Sequence, residues 1–142
     1  RKVHPGDEME ALYDLRLRVL RPGRQPECVR HEPDLDSSSV HIGAFLHGRL
    51  AGIASLLPNR GLQLRGMAVE PDLRKTGVGA AILEYSHRVA VERGQPLWCN
   101  ARDTAIGFYE KSGWVVEGEG FDVPDIGPHH VMRCKFKPLR EP

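Results

Sequence analysis

The chain has 142 residues, 40% of them hydrophobic and 27% charged, with a formal net charge of +1; this suits one soluble globular domain and gives no bulk charge that would point to nucleic acid or a membrane surface. No apolar run is long enough to span a bilayer, and no signal-peptide pattern stands at the start. Cys28, Cys99 and Cys134 are odd in number and form no Cys-x-x-Cys pair, which reads as structural thiols in a reducing, cytoplasmic setting and not as a disulfide or zinc framework.

Lys2-Val3-His4 reads as a short edge strand. Pro5-Gly6-Asp7 breaks it, with Asp7 placed to cap the helix that follows. In that helix Met9, Leu12, Leu15, Val19 and Leu20 recur at helical spacing, and Pro22-Gly23 stops it. Residues 24–39 are polar, carry Pro26 and Pro33, and read as a loop with one short helical turn, of the kind that borders binding sites.

Val40–Phe45 and Leu50–Leu57 read as a hairpin turning at His47-Gly48. Pro58-Asn59-Arg60-Gly61 is a second turn signal, and Leu62–Val69 a third strand, antiparallel to its neighbour. A helix from Gly79 to about Glu92 buries Ile82, Leu83, Ser86, Val89 and Ala90, and Gly94 ends it. Leu97-Trp98-Cys99-Asn100 is a short buried strand. Thr104 is read as the cap of a second helix carrying Ile106, Phe108 and Tyr109, which Gly113 ends. Trp114-Val115-Val116 and Val131–Phe136 are the last strands, with residues 117–130 as a loop between them. This order implies a mixed, twisted α/β sheet, partly parallel in its C-terminal half, with helices on both faces.

Chemistry concentrates where the third strand meets the helix. Met67-Ala68-Val69-Glu70-Pro71 runs into Arg74-Lys75-Thr76-Gly77-Val78-Gly79-Ala80. First-turn N–H groups have no intrahelical partner, and the helix dipole adds positive charge, so this junction can hold an anion. Gly77 and Gly79 allow close approach of a ligand, and Arg74 and Lys75 add two cations. A diphosphate fits this description. The run is neither a Walker loop nor a dinucleotide fingerprint.

Arg74-Lys75-Thr76-Gly77-Val78-Gly79 resembles the pyrophosphate motif Arg/Gln-x-x-Gly-x-Gly/Ala of the GNAT superfamily of N-acetyltransferases. Val69-Glu70-Pro71 is similar to that family's strand-ending Val-x-Pro. Asn100 follows, and Ala105-Ile106-Gly107-Phe108-Tyr109-Glu110-Lys111-Ser112-Gly113-Trp114 resembles its Ala-x-x-Phe-Tyr-x-x-x-Gly-Phe block, with Trp in place of Phe. The likeness spans roughly residues 40–136.

The resemblance implies a GNAT-like sheet of six to seven strands, largely antiparallel, with one splayed strand pair, in a single domain over residues 1–142. It implies acetyl-CoA as co-substrate and no metal. Met67, Ala68 and Val69 would lie at a bulge and pair with pantetheine amides. Arg74, Lys75, Thr76, Gly77, Val78, Gly79 and Ala80 would hold the diphosphate, mainly through backbone amides. Asn100 would bond pantetheine from the second splayed strand. An amine would attack the thioester, a strand N–H near Ala68 or Val69 would stabilise the oxyanion, and Tyr109 would act as general acid. By spacing alone Tyr109 is equally a core aromatic on a helical stripe.

The general base is not identified. The third strand shows Gln63 and Arg65 but no acid before Val69, and Glu70 reads as a solvated residue beyond the strand end. His129 and His130, in Gly127-Pro128-His129-His130-Val131-Met132, are alternatives; a purely structural histidine pair is another. Glu117, Glu119, Asp122 and Asp125 either draw a cationic amine or form a solvated turn. The expected partner is a small-molecule or peptide amine, with sheet edges that would allow a homodimer and no role for nucleic acid or membrane. A non-catalytic CoA-binding domain and an acyltransferase for longer acyl-CoA are the rival readings.

Overall fold

The computed structural model describes residues 1–25 and 36–135. Helix α1 spans Asp7–Leu20, and strands β1 (Val40–Leu46), β2 (Arg49–Pro58) and β3 (Leu62–Val69) follow. Helix α2 (Val78–Arg93) crosses to β4 (Leu97–Arg102), then come a short α3 (Ile106–Lys111), β5 (Trp114–Val123) and β6 (Gly127–Cys134). The sheet has six strands in the order β1-β2-β3-β4-β6-β5. All neighbours pair antiparallel except β3 and β4.

Two apolar clusters place helices on both faces. Leu12, Tyr13 and Leu15 of α1 pack with Ile53 and Ala68 on one face. Val78, Ile82, Leu83, Val89 and Ala90 of α2 join Ala54, Leu56, Leu62, Leu64, Leu97, Cys99, Tyr109 and Trp114 on the other. The period-two alternation of β3 and β4 follows from this: Leu62, Leu64, Leu97, Cys99 and Ala101 turn to the α2 face, and Gln63, Arg65, Trp98, Asn100 and Arg102 turn to the α1 face.

The turn residues behave as their chemistry predicts. His47 and Gly48 both take positive φ, 50° and 80°, as a two-residue turn between twisted strands requires. Gly94 ends α2 in the left-handed region.

Several expectations are corrected. Lys2-Val3-His4 is no strand: Lys2 makes an isolated bridge to Ile42, beside one bond from Val3 N to His41 O at 2.8 Å. Asp7 does not cap α1; Gly6 holds the cap position at φ 85° with no side-chain bond, and Asp7 is already helical. Thr104 caps nothing either, because it lies inside a 3₁₀ turn at Asp103–Ala105 that leads into α3. The loop expected over residues 117–130 is mostly strand, since β5 runs on to Val123 and β6 starts at Gly127; a bulge with Gly118 at φ 78° absorbs the glycine-rich stretch. The loop expected over residues 24–39 falls largely outside the described residues, as does Phe136.

Candidate active site

The parallel pairing of β3 with β4 lasts for only three register pairs, Leu62 with Leu97, Gln63 with Trp98 and Leu64 with Cys99. Beyond them β3 stays with β2, and β4 stays with β6. The two strands therefore part, leaving the backbone of residues 65–69 unpaired with that of residues 100–102.

A bulge in β3 accompanies the split. Ile53 pairs with Ala68 and Ser55 with Arg65, so two residues, Gly66 and Met67, stand opposite Ala54. Gly66 takes φ 59°, and a Cβ there would sit 2.8 Å from Nε of the buried Arg16. Only glycine meets both demands. One extra residue flips every later side chain to the other face. Met67 thereby turns toward α2 and α3, where it packs on the core, and Ala68 turns toward α1.

Tyr109 rises from α3 to meet it. Its hydroxyl points at Met67 Sδ, 3.9 Å away, and its ring packs against Trp114 and Phe108 with centroids 5.2 Å apart in each case. Burial holds the phenol pKa well above its usual value, with the neighbouring Cys99 adding to the shift. The same burial pushes the Cys99 thiol up to about 12. Tyr109 is thus a fully protonated donor across the working pH range.

The β3–α2 junction forms a cradle. Lys75 and Gly77 both adopt positive φ, 64° and 90°, and Gly77 holds the N-cap position of the 16-residue α2. The first helical bond runs from Ala81 N to Gly77 O, so the N–H groups of residues 77–80 lie ahead of the helical ladder. The space where a Gly77 side chain would stand is open to 4 Å. Gly79 is instead covered: a Cβ there would lie 2.8 Å from Phe108 Cζ and 3.5 Å from Met67 Cε. Phe108 and Met67 therefore join the cradle to the split. Arg74, Lys75 and Thr76 are exposed, and the Thr76 hydroxyl donates to Leu73 O.

Glu70 is not solvated. It is buried, and its carboxylate accepts from Arg18 Nη1 at 2.9 Å and Arg49 Nη2 at 3.1 Å. Arg49 also holds Asp72 at 3.0 Å. The two acids nearest the cradle are thus tied to arginines, which keeps their charge from offsetting an anion site. The Arg18 contact, and then that of Arg49, hold the Glu70 carboxyl below its ordinary pKa.

On the α1 face the split opens into a cleft of about 700 Å³, a volume within the range of small-molecule sites. α1 and the residue that caps its end form one wall with Arg16 and Arg21. Asn59 and Arg60 close one end, Gln63, Arg65 and Met67 form the β3 lip, and Asn100 and Arg102 the β4 lip. Tyr109 stands at the floor, and Ile126 and His129 form the far wall.

The two histidines part company. His129 registers with Arg102 on the cleft face, is 6% exposed, and stacks on Phe121. His129 Nδ1 lies 2.8 Å from Gly127 O and donates to it, so Nε2 carries the lone pair. His130 turns to the other face and meets Asp103 at 2.7 Å. None of Glu117, Glu119, Asp122 and Asp125 lines the cleft; Glu117 is held by Arg133 at 2.6 Å.

Met67, Asn100 and Tyr109 thus meet at the split, and Arg74 to Ala80 at the cradle beside it. Reasoning from sequence missed Arg60, Arg65 and Arg102 as a set. They stand in one turn and on two separate strands, and which face is open depends on strand register. Among the described residues there is no cluster of three or more His, Cys, Asp or Glu able to hold a metal, and no helix is long and apolar enough to cross a membrane.

The family described as acetyltransferase (GNAT) domain matches residues 16–136. The Bacillus subtilis (strain 168) protein YitI, described as an uncharacterized N-acetyltransferase, is 37% identical over 141 residues, covering 93% of each chain. Among solved structures, Escherichia coli ElaA superposes with a TM-score of 0.82 at 19% identity over 93% of each chain. An aminoglycoside 6'-N-acetyltransferase complexed with coenzyme A does so with a TM-score of 0.79 at 18% identity, over 99% of this chain and 98% of the other. At such identities the structural likeness speaks for the fold alone.

Proposed function

The chain belongs to the GNAT acetyltransferase family and is an acyltransferase, and from that premise we propose that its 142 residues form one domain that moves an acetyl group from acetyl-CoA to a primary amine by direct transfer. The observation that carries this reading is the split between β3 and β4 opening beside the N-terminus of α2. The donor is a thioester joined through an amide-bearing arm to a diphosphate. It needs unpaired strand backbone next to an anion cradle, and the two adjoin here. The solved relative bound to coenzyme A has the same fold.

In this reading the amides of residues 75–80, with Arg74 and Lys75, hold the diphosphate. The backbone of Met67, Ala68 and Val69 and the Asn100 amide hold the pantetheine arm. The acceptor enters from the α1 face. His129 Nε2 takes the proton from the ammonium, freeing the nitrogen lone pair. The nitrogen attacks the thioester carbonyl, and an N–H near Ala68 or Val69 receives the oxyanion, worth about 3 kcal/mol of barrier. The C–N bond forms and the C–S bond breaks. Tyr109 gives its hydrogen to the departing sulfur, and the second proton lost by the acylated nitrogen restores the phenol, so that the neutral amide and the free thiol leave. The raised phenol pKa makes this chiefly a hydrogen bond to the developing thiolate, with the proton following.

Calorimetric titration with acetyl-CoA tests the reading, beside Gly79→Trp, whose indole would displace Phe108 and fill the cradle. Binding by the unmodified protein that is lost in the variant is the expected result. Absence of binding by the unmodified protein overturns the reading.

A further inference from the structure

Four arginines outside the site are neutralised: Arg1 by Glu8, Arg18 by Asp14 and Glu70, Arg49 by Glu70 and Asp72, and Arg133 by Glu117. On the α1 face of the split, Arg60, Arg65 and Arg102 are exposed and form no ion pair with a described residue, although Asp125 lines an adjoining cavity together with Arg102. Arg60 has only the Trp98 ring, 5.5 Å from its guanidinium carbon. The described lining of this cleft contains no Asp or Glu at all.

These cations do not belong to the diphosphate cradle. Arg65 and Arg102 lie on the α1 face of the sheet, whereas α2 packs on the opposite one. Arg60 precedes β3, and the cradle follows its other end, roughly 23 Å away at the usual rise per strand residue. Arg65 and Arg102 stand on opposite lips of the split, one on β3 and one on β4. A guanidinium presents a planar fork that matches a carboxylate or a phosphate with two parallel hydrogen bonds. A polycation in the same place would meet like charge.

We propose that the acceptor is a small primary amine that also carries an oxyanion, a carboxylate or a phosphate group, gripped by Arg65 and Arg102 with Arg60 beyond them. This rests on the acetyltransferase reading and adds the acceptor class to it. The anion is held toward the arginines, which aims the amine at the thioester above Tyr109 and brings its proton to the His129 wall.

Matched amines test this: α-amino acids against their amides for the carboxylate, amino-sugar phosphates against the parent amino sugars for the phosphate, and spermidine and an aminoglycoside as polycations. Acetylation is read by release of the CoA thiol. The anionic member of at least one pair type should have a kcat/KM at least about tenfold higher, and the pair that responds identifies the oxyanion. In Arg65→Gln and Arg102→Gln that ratio should fall toward unity through KM for the amine, while calorimetric affinity for acetyl-CoA holds. Both side chains are exposed and bond no described residue, so both variants should keep the native thermal midpoint. Preference for the neutral or polycationic amines, or a ratio unchanged in both variants, overturns the proposal. A protein that binds acetyl-CoA and releases thiol with no amine strikes the transferase reading itself, and this proposal with it.

Discussion

Arg18 Nη1 donates to Glu70 Oε1 at 2.9 Å, so the last turn of α1 is tied to the residue that follows β3. Arg49 at the start of β2 holds the same carboxylate from the other side. Glu70→Gln should therefore destabilise the protein by about 2 kcal/mol, the scale of a charge-assisted hydrogen bond discounted for half-exposed arginines. The carboxyl is held below its ordinary value of 4.5. Its contribution is then complete above that pH and is lost as pH falls through the lower folded value. Urea unfolding of both proteins should show a gap at neutral pH that closes in acid. A gap of the same size at every pH would remove Glu70 from the account.

Tyr109→Phe keeps the ring that packs on Trp114 and Phe108 and removes only the hydroxyl. The expected outcome is a kcat lower by about 100-fold, a usual general-acid effect, with acetyl-CoA affinity and thermal midpoint preserved. An unaltered kcat would leave Tyr109 a core aromatic and nothing more.

His129→Gln should lower kcat/KM for the amine by about 100-fold, because no ring nitrogen is left to take the ammonium proton. His130→Asn, on the opposite face beside Asp103, should leave kcat/KM for the amine close to that of the parent. The reverse pattern would assign the base to the wrong histidine.

Gly66→Ala confronts a left-handed φ of 59° and a guanidinium 2.8 Å from the new carbon. A cost of about 1–3 kcal/mol follows from the backbone alone. If the bulge relaxes, Met67 returns to the α1 face and acetyl-CoA affinity falls as well. Denaturant melts and calorimetry together read this; a variant as stable as its parent would mean that the bulge does not depend on glycine.

Cys99 and Cys134 are 1% and 5% exposed, and burial raises both thiols. The chain has three cysteines, so an aromatic disulfide reagent near pH 8 should titrate at most one in the native protein and three after denaturation. Rapid reaction of two or more would show that the core under β4 opens readily.

The strands, helices and their order were legible because turn chemistry and periodicity agree at His47-Gly48, at Gly94 and along α2. The misses are places where tertiary structure overrides a local signal. Asp7 and Thr104 are good capping residues that the chain enters at the wrong angle to use. Residues 117–130 look like loop because of their glycines, yet β6 supplies a pairing partner that the local sequence does not advertise. Glu70 looks solvated until Arg18, 52 residues earlier in the chain, arrives beside it. The cradle was readable from Gly77 and Gly79, since its ligands are backbone. The charge of the cleft was not, because Arg60, Arg65 and Arg102 converge only through strand register.

The two half-sheets resemble the leaves of a hinge held by three rungs. What would fit between them is read largely as main chain by main chain, and that part of the grip is blind to side-chain identity. Apart from Asn100, the lips are thereby released from guarding the acyl donor. Their outward residues can drift, and the acceptor with them, while the purchase on the donor stays where it is. A fold built this way changes its customers without rebuilding its engine.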